Sequence, residues 1–154
     1  MRVNEKVVEI ENPVSKNWSI FRNSIIPSCL KFLSKNKHKE FPQKVFEIGN
    51  VVNMDESKET KTNDKRKLAI AITDNIVGYE DVCSILNGLL SNIGLEYKLK
   101  KSENRKFTEG RCASILYKGK EIGEIGEIHP EVLEKMGIET PTAAIEIDLE
   151  KIKD

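Results

Sequence analysis

CASILY at residues 112–117, the turn Lys118-Gly119-Lys120, EIGEIGEI at residues 121–128 and then His129-Pro130 form the stretch that decides the fold. Two β-rich runs flank a short turn centred on glycine, which is the pattern of a β-hairpin. The second arm alternates glutamate with isoleucine or glycine, so one face is wet and the other packed. Pro130 suits the first turn of a helix running to Met136, and Gly137 stands behind it as a C-cap. AAIEIDL at 143–149 then reads as the last strand.

Working back toward the N-terminus, LEYKLK (95–100) reads as a strand followed by a polar stretch at 101–110. Before it lies an amphipathic helix over 79–93, with Val82, Ile85, Leu86, Leu89 and Leu90 on one face and Gly94 as its stop. LAIAIT (68–73) is apolar enough for a strand buried on both faces. Residues 55–67 contain no aliphatic or aromatic side chain, so a mobile loop is expected there. KVFEIGNVVN (44–53) reads as a strand, with Gly49 marking a bulge or a close backbone approach. A helix begins near Ser24, with Pro27 in its first turn and Ile26, Leu30 and Leu33 at helical spacing. A short β-rich run at 6–11 is stopped by Asn12-Pro13. The sum is about seven strands and three helices, an α+β domain with a mostly antiparallel sheet.

The chain has 154 residues, 38% hydrophobic and 32% charged, with 25 Lys plus Arg against 25 Asp plus Glu. That length fits a single domain over 1–154, with enough core to need no metal or disulfide staple. Zero formal charge excludes a globally basic nucleic-acid surface, so any RNA contact is local or shared with a partner. Cys29, Cys83 and Cys112 are far apart and His38 and His129 are the two histidines, so no metal-ligand spacing exists. No apolar run approaches membrane-spanning length and no signal peptide stands at the start. A cytoplasmic protein is expected.

Three ordered segments resemble one family: Asn12-Pro13-Val14-Ser15 with residues 21–27 (FRNSIIP), residues 36–49 (NKHKEFPQKVFEIG), and Glu109-Gly110-Arg111 with the hairpin through Leu133. They resemble the core domain of the phenylalanyl-tRNA synthetase β chain in its archaeal/eukaryotic form, over about residues 7–149. The resemblance implies a class II aminoacyl-tRNA synthetase-like antiparallel sheet flanked by helices, in a catalytically degenerate copy. It implies a catalytic α chain as partner, in a heterotetramer of two α and two β chains, and tRNA bound through the holoenzyme. ATP and magnesium would serve the parent enzyme, with no cofactor bound by this domain.

The active class II pattern places an arginine soon after the strand glycine, to meet charge on the phosphate of ATP. Here Asn50, Val51, Val52, Asn53 and Met54 follow Gly49. No catalytic residue is therefore expected. On the same map Glu47, Gly49, Gly123, Gly126 and His129 are candidates for a vestigial pocket. Few residues precede the first strand, where the family carries a long helix and further domains, so an excised piece is favoured over a shortened paralogue.

Other residues have competing readings. Lys35, Lys37, His38 and Lys39 crowd one helix end, either to meet an RNA backbone or as a solvated terminus suiting the helix dipole. Arg22 could meet an acidic partner or clamp Glu9 or Glu11. Trp18 suits either core packing or an interface anchor. His129 before a helix-opening proline is an N-cap more often than a base, and Arg111 suits a local ion pair. The function expected is a non-catalytic β-chain domain that buttresses the α chain and helps position tRNA. A free-standing paralogue binding RNA or a small ligand, and a ferredoxin-like regulatory module, are the alternatives.

Overall fold

The computed structural model describes residues 7–13 and 19–153. Six strands form one wholly antiparallel sheet: β1 (Gln43–Met54), β2 (Thr62–Thr73), β3 (Tyr97–Lys101), β4 (Phe107–Tyr117), β5 (Lys120–Ile128) and β6 (Thr142–Asp148). Their lateral order is β1-β2-β6-β5-β4-β3, so the last strand of the chain inserts at the centre. The helices are α1 (Ile26–Lys35), α2 (Tyr79–Asn92) and α3 (Pro130–Met136).

Side chains alternate across a strand, so each strand feeds two cores. On one face Ala69, Ala71, Ala144 and Cys112 meet Ile26, Leu30 and Leu33 of α1 and Val132 and Leu133 of α3. On the other, Ile72, Ile115, Ile125, Ile145 and Ile147 meet Val82, Leu86 and Leu90 of α2. Small residues on the first face let α1 lie close to the sheet; branched ones on the second fill the space under α2.

The hairpin forms where the local chemistry demands it, with Lys118 and Gly119 both at positive φ in the turn. Its pairing is interrupted between Ile115 and Leu116, where Ile122 is the extra residue of a bulge. Gly94 and Gly137 take φ of 72° and 69° behind α2 and α3, as helix-ending glycines do.

Five expectations change. Residues 55–67 are not one loop: β2 already starts at Thr62, and only 55–61 connect it to β1. Its first half, 62–67, forms without apolar residues because β1 pairs with β2 along its whole length, from Gln43↔Thr73 to Met54↔Thr62. That unbroken register also removes the bulge at Gly49. Among the described residues the segment near 6–11 makes only an isolated bridge, Glu9↔Ile20, so the sheet has six strands and not about seven. Finally, α1 begins at Ile26 with Ile25 as N-cap, and β4 begins within the supposed polar stretch, at Phe107.

Candidate functional site

A cleft of about 500 Å³ opens on the α1 face of the sheet, over the ends of β2, β6 and β5. The register builds its floor. Lys67 lies opposite Asp148, and Glu146 stands opposite Ala69 on one side and Glu124 on the other. Directly paired residues share a face, so these charges converge where the strands run past the shelter of α1.

Glu146 is the centre of the arrangement, with a side chain 4% exposed. One carboxylate oxygen accepts from the Ile25 amide at 2.6 Å, the Ser24 hydroxyl at 2.8 Å and the Ile26 amide at 3.3 Å. The other accepts from Lys67 Nζ at 2.8 Å. A strand residue thus caps the N-terminus of α1, whose first turn contains no acidic residue of its own. Burial pushes the Glu146 carboxyl upward, but Lys67, Lys106 and the Ile25 amide together outweigh it and hold the group below the ordinary glutamate range.

Beside it, Lys106 pairs with Glu124, which also accepts from Asn104 Nδ2 at 2.7 Å. Burial dominates there and leaves the Glu124 carboxyl above its ordinary value, Lys106 offsetting only part. Lys65 lies 3.3 Å from Asp148. The fourth lysine on the cleft, Lys151, donates to the Glu121 carbonyl at 2.7 Å. Among the described residues each cation lining the cleft is therefore engaged by the chain itself, and no arginine lines it.

Of the residues singled out in the sequence, Gly123 lines this cleft. A Cβ there would stand 2.2 Å from the Glu146 carbonyl, so glycine is what lets β5 approach β6. Glu47 and Gly49 lie to one side and are brought together by Arg22. The Arg22 guanidinium pairs with Glu47, and donates to the Asn50 carbonyl at 3.0 Å and the Ser28 hydroxyl at 3.3 Å. It lies over Gly49, where a Cβ would come within 2.3 Å of it. Arg22 thus clamps Glu47 of β1, not Glu9 or Glu11. Beneath this clamp the Cys29 thiol is pushed up to about 11, by burial first and then by Glu47 and Glu146. It is a packed thiol and a poor nucleophile.

Gly126 sits in the core, where a Cβ would stand 2.8 Å from the Phe107 ring. His129 caps α3, its Nδ1 accepting from the Glu131 amide at 3.2 Å. Arg111 pairs with Glu127 at 2.8 Å, and Glu127 also accepts from the Tyr79 amide at the start of α2. Lys35, Lys37, His38 and Lys39 are exposed at the end of α1 and do not reach the cleft. Trp18 lies outside the described residues.

Sequence reasoning missed Lys65, Lys67, Lys106, Glu124, Glu146 and Asp148 as a set. The signal was present: in AAIEID two carboxylates at period 2 interrupt an otherwise apolar strand, and Lys65 and Lys67 answer at the same period.

The sequence profile of the phenylalanyl tRNA synthetase beta chain CLM domain matches residues 2–149. The chain belongs to that family. Curated relatives of this β-chain family include a phenylalanine–tRNA ligase beta subunit of Thermococcus onnurineus, 49% identical over 94% of the chain and 25% of the relative. The one from Korarchaeum cryptofilum is 49% identical over 96% of the chain and 27% of the relative. The chain thus spans about a quarter of the length of these relatives. Among solved structures, the pyrrolysyl-tRNA synthetase from Desulfitobacterium hafniense superposes with a TM-score of 0.76, at 14% identity, over 95% of this chain and 51% of that one. So distant a match speaks to fold alone, and it agrees with the synthetase-like antiparallel sheet expected of this β-chain domain.

Proposed function

We propose that this chain is a catalytically degenerate core domain of a phenylalanine–tRNA ligase β subunit, one that buttresses the catalytic α subunit and helps position tRNA. In the parent enzyme two α and two β chains assemble in the cytoplasm, and α joins phenylalanine to its tRNA with ATP and magnesium. The family match and the relatives' names support the assignment to the β subunit.

The observation that carries the non-catalytic reading is the ion-paired cleft floor. Adenylate chemistry needs cations aimed at phosphoryl oxygens as charge develops on them. Lys67 and Lys106 instead hold the chain's own carboxylates, Glu146 and Glu124. Their release would leave buried charges uncompensated. Among the described residues no group of three or more His, Cys, Asp or Glu is placed to hold a metal. The donor set does not fit a nucleoside triphosphate and its metal.

The test is assembly of the full β subunit with α. Charge-neutral cleft substitution, Glu124→Gln with Lys106→Met, is expected to leave the ATP–pyrophosphate exchange rate of the holoenzyme within about twofold. Deleting this domain is expected to abolish α–β co-purification. A loss of exchange on the double substitution, with assembly intact, would overturn the non-catalytic reading; retention of α by the deleted β chain would overturn the buttress.

A further inference from the structure

Charge is balanced over the whole chain but not across the sheet. Residues 97–106, which make β3 and the connection after it, hold five cations against the single carboxylate Glu103. Residues 121–150 hold nine carboxylates and one lysine. Lys106 is consumed by Glu124, but Lys98, Lys100, Lys101 and Arg105 are all exposed. None of these four has an ion-pair partner among the described residues. They lie on β3, which is an outer edge of the sheet, or immediately after it.

A groove of about 840 Å³ runs beside this edge, between the end of α2 and the hairpin turn. Half-buried Tyr97 and Tyr117, direct partners across β3 and β4, stand in its wall, and Lys98 and Lys118 stand at its border. Cations spaced along a strand next to aromatic rings are elements of a nucleic-acid groove, and here Lys118 stands over the Tyr117 ring, 5.1 Å from its centroid.

We propose that the β3 edge, with Lys98 at the border of the Tyr97–Tyr117 groove and Lys100, Lys101 and Arg105 further along the edge, docks an RNA phosphate backbone. The choice of RNA rests on the β-subunit reading above; the polyanion chemistry rests on the edge itself. The competing account is that edge-strand lysines only prevent strand-to-strand aggregation. Charge reversal separates the two, because glutamates protect an edge as well as lysines do but repel phosphate.

The experiment uses the full β subunit assembled with α. Lys98→Glu, Lys100→Glu and Lys101→Glu combined are expected to weaken tRNA binding at least about tenfold at 0.1 M salt. The slope of log K against log salt should become shallower by about 2–3, as phosphate contacts are lost. Unchanged affinity and slope in a normally assembled complex overturn the proposal. So does loss of α binding with tRNA affinity kept, which makes the edge a protein contact. Lysine acetylation of the unsubstituted full β chain, with and without tRNA, reads the same surface without any variant. Slower labelling of Lys98, Lys100 and Lys101 supports docking, and equal labelling overturns it. Because labelling does not require α, failure of the buttress reading and failure of this one are separate results.

Discussion

The two faces of the sheet are built from the same strands and held by different physics. Under α2, Ile145 and Ile147 of β6 join Val82, Leu86 and Leu90 in an apolar layer with no specific partner for any one group. On the α1 face, the alternate residues of that same strand are Glu146 and Asp148, each committed to a named lysine. An apolar layer tolerates exchange of volume for volume. A buried ion pair tolerates no removal of one partner, because the other is stranded without water. The lesson is that this fold keeps its specificity on the α1 face, where each buried charge has one named partner.

The largest effect is expected from Glu146→Ala. It strands Lys67 and uncaps α1 together, and should cost about 3–5 kcal/mol in urea unfolding. Leu86→Ala, from the apolar layer, should cost about 3 kcal/mol by the same measurement. If the leucine change is clearly the more damaging, the contrast between the faces fails. The double change Glu146→Leu with Lys67→Met sharpens it: both charges go, and the remaining loss should shrink to about 1–2 kcal/mol, the share of the Ile25 and Ile26 amides left unpaired.

Proton linkage gives a further test. The Glu146 carboxyl lies below its ordinary 4.5 in the folded chain, so its stabilisation is complete above that value and drains as pH falls through the folded one. The deficit of Lys67→Met against the natural chain should therefore be greatest near neutrality and shrink below pH 4.5, read by thermal melts across that range. Glu124 is shifted upward and has the opposite sign, losing stability as pH rises through its folded value. Among smaller effects, His129→Ala removes the α3 cap and should cost about 1 kcal/mol. Glu47→Gln loosens the half-exposed Arg22 clamp, at no more than about 1 kcal/mol.

The hairpin, α2 and α3 were legible because their signals are local: a glycine turn, a 3.6-residue apolar stripe, and Pro130 followed by Gly137. The start of β2 was not, because TNDKRK has no apolar content and forms a strand through β1 and the carboxylates of β6. The cleft was half legible. Gly123 was found through the resemblance, whereas Lys106 and Glu124, eighteen residues apart, are joined by the β4–β5 pairing that carries Glu124 toward the loop. Arg22 was singled out, for an acidic partner or for Glu9 or Glu11, and Glu47 was missed because it becomes a neighbour only once β1 is in place.

The two outer strands of the sheet are unlike. β3 bristles with lysine, whereas β1 turns Phe46, 71% exposed, and Ile48, 48% exposed, outward on the same face as α2. One margin repels its own kind and the other adheres, so a solution of this domain handled alone should clump through β1 and never through β3. Salt, which weakens the repulsion and leaves the adhesion intact, would make that imbalance worse.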